Sequence, residues 1–222
     1  MRSVSPADTP AVTSGRHSDT FVLTHVYRPL AGALVHALSR TSLTPNQISG
    51  VSFLLMLAAA AALATGRGYL VVAGAVLVQV AFVLDCVDGQ LARFTGRTSR
   101  FGTVFDTILD RYADLALIVG LVGAAQWTTF AWASAFAATV STLVVRDLSR
   151  MYPDAPPRWV RRTERIVLFC VGAVCLVPDW TLLAVGVLGT ADAVRSHVVV
   201  LTSAWRDLQG QQAQGGGSGD QG

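Results

Sequence analysis

The sequence predicts an all-α, polytopic membrane protein: six transmembrane helices preceded by an amphipathic helix lying in the membrane interface. Three observations lead there. Of 222 residues, 52% are hydrophobic and only 14% charged, whereas soluble domains average roughly 25% charged, so too few charges exist to cover a water-facing surface. The mean hydropathy is positive, at +0.49. Uncharged runs of 26 residues between Arg40 and Arg67 and of 31 between Asp114 and Arg146 exceed the about 20 residues that one bilayer crossing requires. This composition excludes a disulfide-rich secreted module, a disordered chain and an ordinary soluble enzyme.

The elements follow in order. Residues 1–19 are rich in Ser, Thr and Pro and lack the apolar core of a cleavable signal, so a disordered cytosolic tail is expected. The membrane domain spans 20–209. Its first segment, 20–40, is amphipathic and interrupted by Pro29, the pattern of an interfacial helix. A first span is expected over about 46–65, with Pro45 at the start, where its missing N–H costs nothing. Gly66-Arg67-Gly68 makes a turn. The second span runs from Tyr69 to about Phe94, apolar to Leu84 and then abruptly acidic. After the loop FTGRTSR the third helix begins near Phe101 and ends near Ala125. The fourth covers about 128–145, the fifth about 164–177 and the sixth Trp180 to about Trp205. Residues 210–222 read as a disordered Gly/Gln-rich tail.

Charge distribution sets the expected orientation. All 17 basic residues are Arg, and 13 of the 14 acids are Asp. With the N-terminus inside, 14 Arg fall on the cytosolic side and only Arg67 outside, a strong positive-inside bias. The pI near 9.1 is therefore a topological signal, and no nucleic-acid partner is implied. Both termini and the acidic stretch face the cytosol in this reading, in the plasma membrane. Cys86, Cys170 and Cys175 show no metal-ligand spacing and read as small packing residues. Asp192 and Arg195, three apart in the sixth span, read as a neutralising intrahelical pair.

Chemistry concentrates in one stretch. Asp85 and Asp88 share a helix face at the end of the second span, and Asp106 and Asp110 share one at the start of the third. The loop between is short enough to set these helix ends side by side. Four carboxylates so crowded repel unless cations join them, and hard oxygen-ligated ions, Mg²⁺ or Mn²⁺, suit them. A two-metal clamp of that kind serves phosphoryl transfer. Gly89 and Gly102 leave room for a diphosphate, and Arg93 supplies a forked cation for phosphate. Asp110 is the candidate general base. Asp114, one turn on, either supports the site or pairs with Arg111.

Asp85-x₂-Asp88-Gly89-x₂-Ala92-Arg93-x₈-Gly102-x₃-Asp106-x₃-Asp110 matches every fixed position of the signature of the CDP-alcohol phosphotransferase family, and the resemblance covers about residues 41–205. The resemblance implies a six-span membrane enzyme that passes a phosphoryl-alcohol unit from a CDP-alcohol to an acceptor hydroxyl and releases CMP. It implies Asp85, Asp88 and Asp106 as metal ligands, with Asp110 as partial ligand and base. It also implies a CDP-binding set of Asn46, Asp85, Asp88, Gly89, Ala92, Arg93 and Gly102, Asn46 entering through Thr44-Pro45-Asn46. A homodimer is expected on the same ground.

The donor, of CDP-diacylglycerol or CDP-inositol type, and the acceptor stay open. The segment around the Asp motif resembles enzymes that join CDP-inositol to inositol phosphate. Arg162-Thr163-Glu164-Arg165 instead resembles an element of bacterial phosphatidylinositol-phosphate and phosphatidylglycerophosphate synthases whose arginines hold the acceptor's phosphate. Arg146 is a possible partner there, for an acceptor such as a phosphorylated polyol. The same arginines also fit a simple record of topology. Two other functions compete: an intramembrane Mg²⁺-dependent prenyltransferase, whose Asp motifs usually lie farther apart, and a non-enzymatic cation carrier using the acids as a relay.

Overall fold

A computed structural model of the chain describes residues 23–151, 159 and 161–215. Among these residues every regular element is helical: a π-helical turn at Leu23–Tyr27, then α1 (Arg28–Leu38), α2 (Pro45–Ala64), α3 (Gly68–Phe94), α4 (Arg100–Ala124), α5 (Thr129–Met151), α6 (Arg162–Val174) and α7 (Pro178–Gly215). Pro29 falls in the first turn of α1, where it starts the helix instead of interrupting it, since the first-turn N–H groups lack intrahelical partners anyway. α7 continues through Gly215, into the stretch expected to be a loose tail. Gln and Ala at 211–214 are good helix formers and carry the helix to the glycine run. The tail expected at 1–19 lies outside the described residues.

Helix ends are set by local chemistry. The Thr44 hydroxyl accepts from the Gln47 N–H at 3.3 Å while the Gln47 side chain accepts from the Thr44 N–H at 2.9 Å, a reciprocal cap that fixes the start of α2. Between α3 and α4 the chain reverses at Gly96, whose φ of +66° is open to glycine without steric cost. That conformation lets Arg97 N–H reach the Ala92 carbonyl at 2.9 Å and Gly96 N–H the Arg93 carbonyl at 3.3 Å, closing the helix end. Ser99 then caps α4, accepting from Gly102 N–H at 2.9 Å.

α2, α3 and α4 form one tightly packed group. The approach of α4 to α2 depends on the absence of a side chain at Gly120: a Cβ there would lie 2.7 Å from the Ala60 carbonyl oxygen. Small residues bring helices into such contact in membrane proteins, where packing rather than water exclusion drives association. α1 lays Ala31 and Val35 on Ile48, Val87 and Leu91, and the buried Tyr27 hydroxyl donates to Gln79 of α3. α5 pairs with α7 through Ser134, Ala138 and Ser141 facing Gly186 and Gly189. α6 lies against α3 and α7 and buries Ile166, Phe169, Cys170 and Ala173. Cys170 is thus a packing residue, as expected; Cys175 ends α6 exposed because the chain turns there toward Pro178.

Among the described residues, three helical segments are long and apolar enough to cross a membrane: Pro45–Ala64, Gly68–Phe94 and Pro178–Arg206; Thr129–Val144 is a shorter apolar stretch. The expected third and fifth spans fall outside that set for visible reasons. α4 carries three Asp and two Arg in its first 15 residues, and α6 has only 13 residues. Large apolar side chains nonetheless face outward, Leu54, Phe136 and Leu201 being 64%, 72% and 67% exposed. Such a surface needs lipid or a partner to cover it.

Candidate active site

The hairpin reversal at Gly96 and the contact of α4 with α2 bring three helix ends together. Asp85 and Asp88 occupy the last turns of α3, and Asp106, Asp110 and Asp114 follow each other at one-turn intervals along α4. One carboxylate oxygen from each of Asp85, Asp88 and Asp106 lies within 4.8 Å of the other two. Asp88 is buried, 4% exposed, and accepts a hydrogen bond from the Ser49 hydroxyl of α2. A donor set made only of carboxylates, with no thiol or imidazole, fits a hard divalent cation such as Mg²⁺ or Mn²⁺.

Asp110 is placed differently. It lies one turn beyond Asp106 and meets the guanidinium of Arg162, the first residue of α6, at 2.7 Å. The same guanidinium reaches Asp85 at 2.9 Å and Asp114 at 3.0 Å. Arg165, one turn along α6, bonds Asp114 at 3.3 Å and the Thr142 hydroxyl of α5. Asp114 therefore supports the site through α6. Glu164 accepts from the Arg161 N–H at 2.9 Å, which caps the start of α6 and fixes the direction in which Arg162 leaves it.

A larger and a smaller pocket open beside Asp85, Asp88 and Asp106. The larger, about 210 Å³, is lined by Asn46, Asp88, Gly89, Ala92, Arg93, Gly102 and Asp106, together with Pro45, Ser49, Arg97, Thr98, Ser99 and Thr103. All of the expected CDP set except Asp85 therefore faces one space. The smaller, about 10 Å³, lies among Asp85, Asp106, Asp110 and Arg162, with Ser49, Ser52, Phe53, Met56, Leu109 and Ala113 completing its wall. Asp106 lines both.

Of the three arginines considered for an acceptor phosphate, Arg162 faces the acids and Arg165 stands beside it; Arg146 falls among residues whose side chains are outside the description. Ser49 was missed by sequence reasoning, although it follows Asn46 by three residues and so shares its helix face. Arg97, one of the 14 arginines counted on the cytosolic side, also lines the larger pocket. The Asp192–Arg195 pair forms as expected, at 2.7 Å. It also binds the chain before α6: Trp159 N–H donates to Asp192 at 3.1 Å, and the Arg195 guanidinium lies 4.7 Å from the Trp159 ring centre.

Residues 42–203 match the family model described as CDP-alcohol phosphatidyltransferase. Among curated proteins, the chain is 37% identical over 163 residues to a "Bifunctional IPC transferase and DIPP synthase" of Rubrobacter xylanophilus, covering 70% of this chain but 36% of that protein. It is 30% identical over 161 residues to a "Phosphatidylinositol phosphate synthase" of Mycobacteroides abscessus, covering 67% of this chain and 68% of that one. It is 38% identical over 95 residues to an "Archaetidylinositol phosphate synthase" of Pyrococcus horikoshii, spanning 40% of this chain and 47% of the relative. Among solved structures, the fold resembles Mycobacterium tuberculosis phosphatidylinositol phosphate synthase with CDP-DAG bound, at a TM-score of 0.65 and 21% identity, over 78% of this chain and 94% of that one. The same mycobacterial protein has also been crystallised in complex with manganese and citrate.

Proposed function

The chain belongs to the CDP-alcohol phosphatidyltransferase family, and on that premise we propose that it is a membrane transferase moving a phosphoryl-alcohol unit from a CDP-alcohol to an acceptor hydroxyl, with release of CMP. The observation that carries this reading is the adjacency of the Asn46–Arg93–Gly102 pocket to the Asp85–Asp88–Asp106 triad, with Asp88 and Asp106 lining that pocket. A nucleotide in that pocket sets its diphosphate against the carboxylates. Asp85, Asp88 and Asp106 would hold divalent cations, Mg²⁺ or Mn²⁺, with Asp110 as a partial ligand; bound there, they would supply positive charge for the diphosphate and for the departing CMP.

The residues divide the remaining work. Asn46 and Arg93 bind the nucleotide and its phosphates, and Gly89, Ala92 and Gly102 leave the backbone open to it. Asp110 takes the proton of the acceptor hydroxyl. That oxygen bonds to the phosphorus of the alcohol phosphate as the bond from this phosphorus to the CMP oxygen breaks. Arg162, which contacts Asp85, Asp110 and Asp114, and Arg165 beside it on Asp114 receive an anionic acceptor. Two relatives, named phosphatidylinositol phosphate and archaetidylinositol phosphate synthases, support a phosphorylated polyol such as inositol phosphate in that role. Six spans, cytosolic termini, a site at the cytosolic face of the plasma membrane and a homodimer complete the proposal.

The test is release of CMP by the purified protein with Mg²⁺ or Mn²⁺. CDP-diacylglycerol and CDP-inositol are each offered with inositol phosphate, glycerol phosphate or inositol. Metal-dependent CMP release with at least one pair is expected. No release from any pair, with folded protein, overturns the reading and leaves the prenyltransferase and cation-carrier alternatives.

A further inference from the structure

The acid cluster already contains a cation of its own. One nitrogen of Arg162 bridges Asp85 at 2.9 Å and Asp110 at 2.7 Å, while another bonds Asp114 at 3.0 Å. Asp85 is shared, since another geometric relation ties it to Asp88 and Asp106 within 4.8 Å. The space enclosed by Asp85, Asp106, Asp110 and Arg162 is only about 10 Å³, room for a single water-sized occupant at most. The guanidinium thus supplies positive charge to Asp85 and Asp110.

We propose that Arg162 is a built-in substitute for a second divalent ion, so that the protein by itself holds one such ion tightly and takes a second only when an anion draws Arg162 off the carboxylates. The proposal rests on the metal-site reading above and adds an order of events to it. A guanidinium and a divalent ion compete for the same carboxylate oxygens, because both need Asp85 and Asp110 ionised and their mutual repulsion is strong at this range. Phosphate is the anion for which a forked guanidinium leaves carboxylates most readily, since it offers equal bidentate geometry and more charge. Arg162 has a way to let go without unfolding its helix: it is the first residue of α6, and Arg165 remains on Asp114 to keep that helix docked. While Arg162 holds Asp110, the candidate base is also engaged, so an anionic acceptor would bring the second ion and free the base in one movement.

The experiment counts Mn²⁺ bound to the full-length purified chain by calorimetry and by electron paramagnetic resonance, with Mn²⁺ alone and with added inorganic phosphate. The expected results are one tight ion per chain for the wild type, and a second for Arg162→Gln whose Kd is lower by roughly tenfold or more, the scale on which removing a neighbouring positive charge acts in a partly screened site. Arg162→Lys, which keeps the charge, should resemble the wild type. Phosphate, but not chloride at equal ionic strength, should admit the second ion to the wild type. If Arg162→Gln does not fold, the phosphate arm on the wild type decides. Two equally tight ions in the wild type without phosphate, or a second site unchanged by either Arg162→Gln or phosphate, overturns the proposal alone. No Mn²⁺ bound by the wild type overturns the metal-site reading as well.

Discussion

The hydroxyl of Ser49 in α2 donates a hydrogen bond to the carboxylate of Asp88 in α3, across 39 residues of chain. Both residues are buried, at 6% and 4% exposed. The bond restrains the Asp88 carboxylate within the group it forms with Asp85 and Asp106, as outer partners orient ligands.

Ser49→Ala should therefore weaken the site without dismantling it. Leaving a buried carboxylate short of one donor costs about 1–3 kcal/mol, and a displaced ligand lowers metal affinity by about 10–100-fold. Mn²⁺ titration and the thermal unfolding midpoint measure the two effects. A variant with wild-type Mn²⁺ affinity would remove Ser49 from the site.

Asp110→Asn keeps the shape of the side chain and removes its capacity to take a proton. CMP release should fall by about 10²–10⁴-fold, the range of general-base catalysis, while the first Mn²⁺ still binds at Asp85, Asp88 and Asp106. Asp88→Asn should instead lose that Mn²⁺. If the two variants behave alike in Mn²⁺ binding, the roles assigned to them are not distinct.

Two glycines should respond in opposite ways to alanine. A Cβ at Gly89 meets nothing closer than the Arg93 guanidinium at 3.6 Å, an ordinary contact, so the fold should survive. It would intrude on the pocket instead, and the expected result is a raised KM for the CDP-alcohol at unchanged unfolding temperature. At Gly120 the Cβ would strike Ala60 backbone, and overpacking of this kind costs roughly 1–3 kcal/mol. Gly120→Ala should lower the unfolding temperature with little change in KM among the molecules that remain folded.

Asp192→Ala breaks a pair whose carboxylate is 4% exposed and leaves Arg195 without that acid. Arg195 is 27% exposed, so the charge left behind is partly solvated and the loss stays below the about 3–5 kcal/mol of a fully buried pair, whereas replacing both partners with apolar residues is often neutral. Asp192→Ala should thus be destabilised, and Asp192→Leu combined with Arg195→Met largely restored, as read by unfolding in detergent. If the double variant still has low activity, the Trp159 anchor ahead of α6 is the reason to test next, since Asp192 also holds its N–H.

Much of this was legible in the chain because its chemistry is local. Thr44-Pro45-Asn46-Gln47 caps and starts α2 with its own four residues. Asp spacings of three and four place carboxylates on shared helix faces whatever surrounds them, and Gly96 with Ser99 turns the chain between α3 and α4. The α3–α4 hairpin is therefore almost complete as a sequence pattern, and six of the seven residues expected around the nucleotide line one pocket. Membrane character was equally legible, since it is a property of composition.

Tertiary structure alone decided which partner each carboxylate finds. Arg162 stands 77 residues from Asp85 in the chain; its place in Arg162-Thr163-Glu164-Arg165 suggests an acceptor's phosphate, but no spacing in the chain brings it to the acid cluster. It arrives there because Glu164 caps α6, α6 docks on α3 with the Cys170 thiol against the Ala75 carbonyl, and Gly120 lets α4 close on α2. Ser49 meets Asp88 for the same reason. Helix periodicity sets the direction of a side chain relative to its own axis, but the distance between two axes is set by the small and large residues between them. Sequence spacing thus determined that the acids converge, and helix contact determined that Asp110 faces a guanidinium while Asp85, Asp88 and Asp106 face one another.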